Sequence, residues 1–303
     1  MSTLIHAQAI TKRYGSKLAL DDVSFEIQQG APVALVGPNG AGKTTLFSLL
    51  CGYILPSQGQ LSILGSKPGS SALFGKLSAL PQDAQLDPRF SIVHQLSFYG
   101  QLQGLSAGAS KSEALRVLDL VGLSEVAHQR SDDLSHGMRK RVTIGQSLIG
   151  KPQIVMLDEA TAGLDPIHAR EVRELVANLS DEATFILSSH DLTELERLCN
   201  HVLHLDKGKL IEHQAKSSEL QAERFMTILF ADNYTDVEQG LLSLQGVTRV
   251  YMSQAKEYVI EYQKPEKQID IELLNFCYQQ GWRYRQLVNG HTLENQIFTQ
   301  EKA

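Results

Sequence analysis

The string Gly37-Pro38-Asn39-Gly40-Ala41-Gly42-Lys43-Thr44 carries the residue types needed to hold phosphate. It fits the pattern G-x-x-x-x-G-K-[ST]. Glycines at these positions let the backbone curl until several N–H groups face one anion. Lys43 supplies a full positive charge to β- and γ-phosphates, and the Thr44 hydroxyl is a ligand for Mg²⁺. Thr45 belongs to the same phosphate-binding set. A helix starting after the loop adds the equivalent of about half a positive charge at its N-terminus. The plainer alternative is a glycine-rich turn before a helix, with no ligand.

A second candidate is Asp158-Glu159, directly after the apolar run Ile154-Val155-Met156-Leu157. A buried parallel strand delivers its last residues to the ligand edge of a sheet. There Asp158 would hold Mg²⁺ through water, and Glu159 would polarise an attacking water as general base. Two solvated acids at a strand exit are the alternative.

The elements that must position these groups follow from hydrophobic patterning. Leu4 to Val36 reads as short β segments with turns at Tyr14-Gly15-Ser16 and Gln28-Gln29-Gly30. Val33 to Val36 is an apolar run ending at the phosphate loop, and Lys43 to Cys51 has helical spacing. Gln60 to Leu64 is a further strand, and residues 84–134 read as a helical insertion. Strands return at Ile154 to Leu157 and Thr184 to Leu187, with helices between, which implies a mostly parallel α/β sheet. His201 to Ile211 reads as a hairpin turning at Asp206-Lys207-Gly208. The expected domains are 1–214, a polar linker 215–223, and a small α+β unit 224–303. In that unit strands are expected at Met226 to Phe230, Val247 to Met252 and Tyr258 to Tyr262, with helices at Val237 to Leu244 and Ile269 to Gln279. A short strand and helix would close it.

The 303 residues are 42% hydrophobic and 20% charged, ordinary values for a chain that buries a core. A net charge of −6 and the lack of a basic tract argue against nucleic-acid binding. Cys51, Cys199 and Cys277 are scattered without metal spacing and read as free thiols in a reducing cytosol. Met1 to Ile10 does not resemble a signal peptide, and no apolar stretch approaches the roughly 20 residues of a membrane span. A cytoplasmic protein is expected; work at a membrane would need another polypeptide to hold it there.

In order and spacing, these motifs resemble the ABC (ATP-binding cassette) ATPase family over about Leu4 to Glu212. The resemblance implies a P-loop NTPase fold with an antiparallel β subdomain and a helical insertion, using ATP and Mg²⁺. Leu134-Ser135-His136-Gly137-Met138 is similar to the family's signature, so Ser135 and the Gly137 N–H would contact the γ-phosphate held by a second subunit. Gln82 is similar to the Q-loop glutamine near Mg²⁺ and water. Asp165 matches the D-loop, His190 the switch histidine at the γ-phosphate, and Tyr14 the aromatic that stacks on adenine. The resemblance therefore implies a head-to-tail dimer, expected to be a homodimer, that sandwiches two ATP molecules.

Some positions depart from the family pattern. His136 stands where glycine is usual, where its ring could narrow the approach to nucleotide or add a pH-sensitive contact. Met138 replaces a frequent glutamine and Ala160 a common proline; Ala162 replaces a serine, and the lost hydroxyl is expected to weaken cross-dimer signalling and slow turnover. A single cassette followed by a small α+β tail resembles ABC-2 type export ATPases, whose partner is a membrane-spanning permease. Gly137 to Arg141 and the tail segment His291 to Phe298 share that likeness. The alternative is a non-transport ABC ATPase acting on ribosomes or DNA. Such proteins usually carry two cassettes or long insertions, and neither is present in this sequence.

Overall fold

The computed structural model describes residues 2–190, 195, 198–199, 201–214, 225–262 and 269–290. The chain divides into two compact units, residues 1–213 and 214–303.

In the first unit, β1 (Thr3–Tyr14) and β2 (Lys17–Gln28) pair antiparallel, and β4 (Gln58–Ile63) pairs with the other edge of β1. Both strands are 12 residues long and end at the expected turns after Tyr14 and Gln28, although the pairing between them is not regular. The irregularity is absorbed as register shifts, with Ala9 and Asp22 both at φ 53, so the strands bend without ending.

The central sheet has six strands in the order β5-β6-β7-β3-β8-β9. They are β3 (Val33–Val36), β5 (Leu77–Leu80), β6 (Ile154–Leu157), β7 (Thr184–Ser189), β8 (His201–Asp206) and β9 (Lys209–Gln214). Pairing is parallel from β5 through β8. Every residue of β3, β6 and β7 is buried, as expected of a sheet covered on both faces. Helix α1 (Lys43–Leu50) buries Leu46, Phe47, Leu49 and Leu50 in one core cluster with Leu35, Met156 and Ile186. Strand β5 has no strong sequence signal. It is an edge strand whose Leu77, Ser78 and Ala79 are only half-buried.

Between β5 and β6 lie α2 (Ile92–Leu102) and α3 (Ala107–Leu120), within the stretch 84–134 read as helical, and then α4 (His136–Gln146). The Ser135 side chain caps α4 by accepting the Met138 N–H at 3.2 Å. Gly145 then lets α4 lie close on α3: a Cβ there would meet Val117 Cγ1 at 2.8 Å and Val121 Cγ1 at 3.2 Å. Helix α5 (Pro166–Asn178) starts from an Asp165 cap, with proline in its first turn, where no backbone donor is needed.

The second unit runs β10 (Phe225–Phe230), α6 (Val237–Leu242), β11 (Val247–Gln254), β12 (Glu257–Tyr262), α7 (Ile269–Gln280) and β13 (Tyr284–Asn289). Its antiparallel sheet has the order β11-β12-β10-β13. This is the split β-α-β-β-α-β arrangement. Alternate residues Met226, Ile228 and Phe230 of β10 share one core with Leu241, Leu273 and Cys277 from the helices. The Phe230 ring stands edge-on to Tyr234, Tyr258 and Trp282. The expected linker 215–223, the closing helix and the His291 to Phe298 segment lie outside the described residues.

The three cysteines are free, and burial pushes the thiols of Cys51 and Cys199 up to about 12 and that of Cys277 to about 11. At neutral pH these are unreactive thiols. Among the described residues, no helix is long and apolar enough to cross a membrane.

Gly145→Ala is expected to cost about 1 kcal/mol or more, because overpacking against the stiff Val117 outweighs the gain in helix propensity. Gly108→Ala in α3, with open space around the added Cβ, should be neutral or stabilising by up to about 1 kcal/mol. Urea unfolding of both variants checks the contrast.

Candidate active site

The site begins with strand register. In parallel pairing Leu80 lies opposite Leu157, Leu157 opposite Leu187, Val36 opposite Ser189, and Val36 opposite His204. The segments beginning at Pro81, Asp158, His190 and Gly37 therefore leave the sheet at one edge, together with the turn after β8. That is the carboxyl edge, where ligands of open α/β sheets bind.

The phosphate loop is shaped by its glycines. Gly37 has φ 151, and a Cβ there would lie 2.1 Å from the Leu205 carbonyl oxygen of β8. Gly42 has φ 113 and caps α1; a Cβ there would meet the Ala19 carbonyl oxygen at 2.8 Å. Lys43 is buried, and its ammonium donates to the Gly37 carbonyl at 2.6 Å and to that of Pro38 at 3.3 Å. These bonds hold the charge beneath the loop. The first N–H groups of α1 have no partner within the helix and face the same way as its positive pole.

Beside the loop is a cavity of about 600 Å³. Tyr14, Asn39, Gly40, Gly42, Lys43, Thr44, Thr45, Gln82, Asp158 and Glu159 line it, together with Lys17, Lys207 and their neighbours. Elements 145 residues apart in sequence, from Tyr14 to Glu159, thus share one wall. The Thr44 hydroxyl, Gln82 amide and Asp158 carboxylate are hard oxygen donors of the kind Mg²⁺ takes. Gly37, Pro38 and Ala41 are outside the lining and act on the loop's shape. The Ala41 carbonyl accepts the Gly208 N–H at 3.0 Å, which ties the loop to the β8–β9 turn.

The acids are held from the neighbouring strand. Ser188 Oγ donates a short hydrogen bond to Asp158 Oδ1 and accepts the Glu159 N–H at 2.9 Å. Glu159 has φ 48, a left-handed conformation that is unfavourable for a residue with a Cβ. Its Oε2 lies 2.9 Å from His190 Nδ1, so the two residues expected at the γ-phosphate are in direct contact. One side of Tyr14 is covered by Lys12, whose ammonium is 5.2 Å from the ring centroid; the ring itself is half-exposed and lines the cavity.

Ser135, Gly137 and Asp165 do not join this cavity. Gly137 and Asp165 are instead linked through His168. A Cβ on Gly137 would lie 2.6 Å from His168 Cδ2, and His168 Nδ1 contacts Asp165 Oδ2. The Asp165 carboxylate holds the His168 imidazole above its usual pKa. Sequence reasoning missed Lys17, Lys207 and Ser188. Lys207 had a signal, since it occupies the predicted hairpin turn; Ser188 stands beside His190 in the same string.

Gly37→Ala should disrupt the loop, because the added methyl would overlap the Leu205 carbonyl of a central strand. ATP affinity by isothermal titration calorimetry is expected to fall at least about tenfold, the equivalent of 1.4 kcal/mol. An affinity equal to wild type would contradict this packing argument.

A family model described as ABC transporter matches residues 20–162. The linearmycin resistance ATP-binding protein LnrL of Bacillus subtilis is 34% identical over 211 residues, covering 69% of this chain and 68% of that one. The Nod factor export ATP-binding protein I of Cupriavidus metallidurans is 35% identical over 224 residues, covering 73% of each. Among solved structures, cbiO1 from Clostridium perfringens, part of the ABC transporter complex cbiONQ, has a TM-score of 0.66 at 26% identity. That similarity covers 72% of this chain and 90% of the other. A dimeric ATP-binding cassette bound to ADP and Pi has a TM-score of 0.61 over 70% of this chain and 99% of its own; at 23% identity it speaks for the fold alone. Relatives a third identical across more than two thirds of both chains settle the family: this chain belongs to the ATP-binding proteins of ABC transporters and is an ABC ATPase.

Proposed function

We propose that the chain is the ATP-hydrolysing subunit of an exporter, which works as a head-to-tail homodimer at the cytoplasmic face of a membrane, held there by a membrane-spanning permease. Residues 1–214 would be the catalytic domain and 224–303 an accessory domain joined by the linker 215–223. The names of the linearmycin resistance and Nod factor export relatives support the export reading. The observation that carries the dimer reading is the composition of the cavity. Lys43, Thr44, Gln82, Asp158 and Glu159 line it, and Ser135 and Gly137 do not. A nucleotide bound there leaves the signature residues unused unless a second copy supplies them.

In this reading Lys43 and the loop N–H groups bind the β- and γ-phosphates, and Tyr14 stacks on adenine. Thr44, Gln82 and Asp158 hold Mg²⁺, and their oxygen chemistry fits an ion that takes one or two carboxylates, phosphate oxygens and water. Bound there, Mg²⁺ neutralises phosphate charge during transfer. Glu159 accepts a proton from water as the water oxygen attacks the γ-phosphorus and the bond to the ADP oxygen breaks. His190 fixes the Glu159 carboxylate through the 2.9 Å contact and reaches the γ-phosphate. Ser135 and the Gly137 N–H, at the positive pole of α4, meet that phosphate from the other subunit.

Glu159→Gln should lower ATP hydrolysis by roughly 10²- to 10⁴-fold while sparing ATP binding, so that ATP traps the dimer. Analytical ultracentrifugation with and without ATP reads the trap. Tagged Glu159→Gln protein, with Lys43→Ala as control, would then be recovered from detergent-solubilised native membranes. A polytopic membrane protein retained with ATP, and lost in the control, is the expected partner. Recovery of ribosomal or DNA-bound proteins alone would remove the export reading and leave the ATPase intact.

A further inference from the structure

Ser188 near the end of β7 and His190 just beyond it make three contacts with the acids that leave β6. His190 meets the Glu159 carboxylate. Ser188 does something different. Its hydroxyl has one proton and two lone pairs. The proton goes to Asp158 Oδ1, and a lone pair accepts the Glu159 backbone N–H at 2.9 Å. Ser188 is buried, 4% exposed, and its backbone is fixed by pairing with Leu35 of β3. One rigidly mounted oxygen therefore touches both acidic residues at once.

We propose that Ser188 is a positioning residue for ATP hydrolysis, locking Asp158 and Glu159 into a single unit that sets the metal-holding and water-activating carboxylates together. The proposal rests on the roles given to those two acids above. Glu159 needs such a hold: its left-handed φ of 48 is unfavourable for a side chain bearing a Cβ, and its N–H is satisfied by the serine oxygen. Asp158 needs one too. The serine proton fixes the rotation of the Asp158 carboxylate and so the direction in which its remaining lone pairs face the metal or its water. Ser188→Ala removes the hold on the Asp158 carboxylate and on the Glu159 N–H while leaving the contact from His190 to Glu159 in place.

The experiment compares Ser188→Ala, Ser188→Thr and Asp158→Asn in the full chain. Affinity for a fluorescent ATP analogue is measured in EDTA and in Mg²⁺, followed by steady-state ATPase kinetics and thermal melting. Ser188→Ala should keep wild-type affinity in EDTA but lose roughly 10- to 100-fold of the gain that Mg²⁺ confers. Its kcat should fall by a similar factor, with KM for ATP changed less than about threefold. Ser188→Thr, which keeps the hydroxyl, should restore both. A Ser188→Ala protein with the wild-type Mg²⁺ gain and kcat would overturn the proposal. So would Thr and Ala variants that are equally impaired, or an Ala variant that melts early and binds poorly even in EDTA, since the serine would then be packing alone. Asp158→Asn separates the two layers. If it loses the Mg²⁺ gain and Ser188→Ala does not, only the Ser188 proposal fails. If Asp158→Asn keeps that gain, the assigned metal site itself is wrong.

Discussion

Parallel pairing in register is the constraint on which the rest of this molecule depends. Strands β3, β6 and β7 are buried along their whole length, so the groups that face the cavity must lie beyond their ends. Their chemistry is placed one residue beyond the last apolar position. Because Leu157 is opposite Leu187, and Val36 opposite Ser189, those next residues arrive at one edge. In parallel strands a slip of one residue would turn every side chain to the other face and separate the acids from the loop. The hydrophobic core and the active site are thus specified by the same hydrogen-bond ladder.

Close approach is the second theme. The phosphate loop is pressed against two other elements: Gly37 against the Leu205 carbonyl of β8, and Gly42 against the Ala19 carbonyl of β2. Both are backbone atoms that cannot move aside, which is why these positions have no room for a side chain. The same crowding brings the β8–β9 turn to the cavity, where Lys207 lies beside residues from the β1–β2 hairpin. The cavity consequently has cationic groups and helix N–H donors on its loop side. It has the carboxylates of Asp158 and Glu159 at the strand ends. A triphosphate carrying a divalent cation suits that division of charge.

The second unit has its own core, built on alternate residues of β10 and an aromatic cluster around Phe230 and Trp282. None of the residues lining the described cavity comes from it.

Much of the site was legible in the sequence because its chemistry is written locally. A glycine-rich loop between a four-residue apolar strand and a helix has few other uses, and Asp158-Glu159 follow an apolar run with no gap. The β-α-β-β-α-β order of the tail was also readable, since each element has its own period. Local signals failed where the deciding contact was distant. Strand β5 is too short and too weakly apolar to announce itself, and it forms because β6 offers an open edge. The register shifts inside β1 and β2 left no local sign, since pairing between the strands sets the positive φ of Ala9 and Asp22. Residue types and their order single out the groups proposed to bind phosphate and those proposed to activate water. Only the tertiary structure decided that Ser188 joins the two acids, that Lys207 reaches the cavity, and that the signature residues stand apart from it. Those outcomes depend on which strand lies beside which, and hydrogen-bond register between segments far apart in the chain leaves no mark in either segment alone.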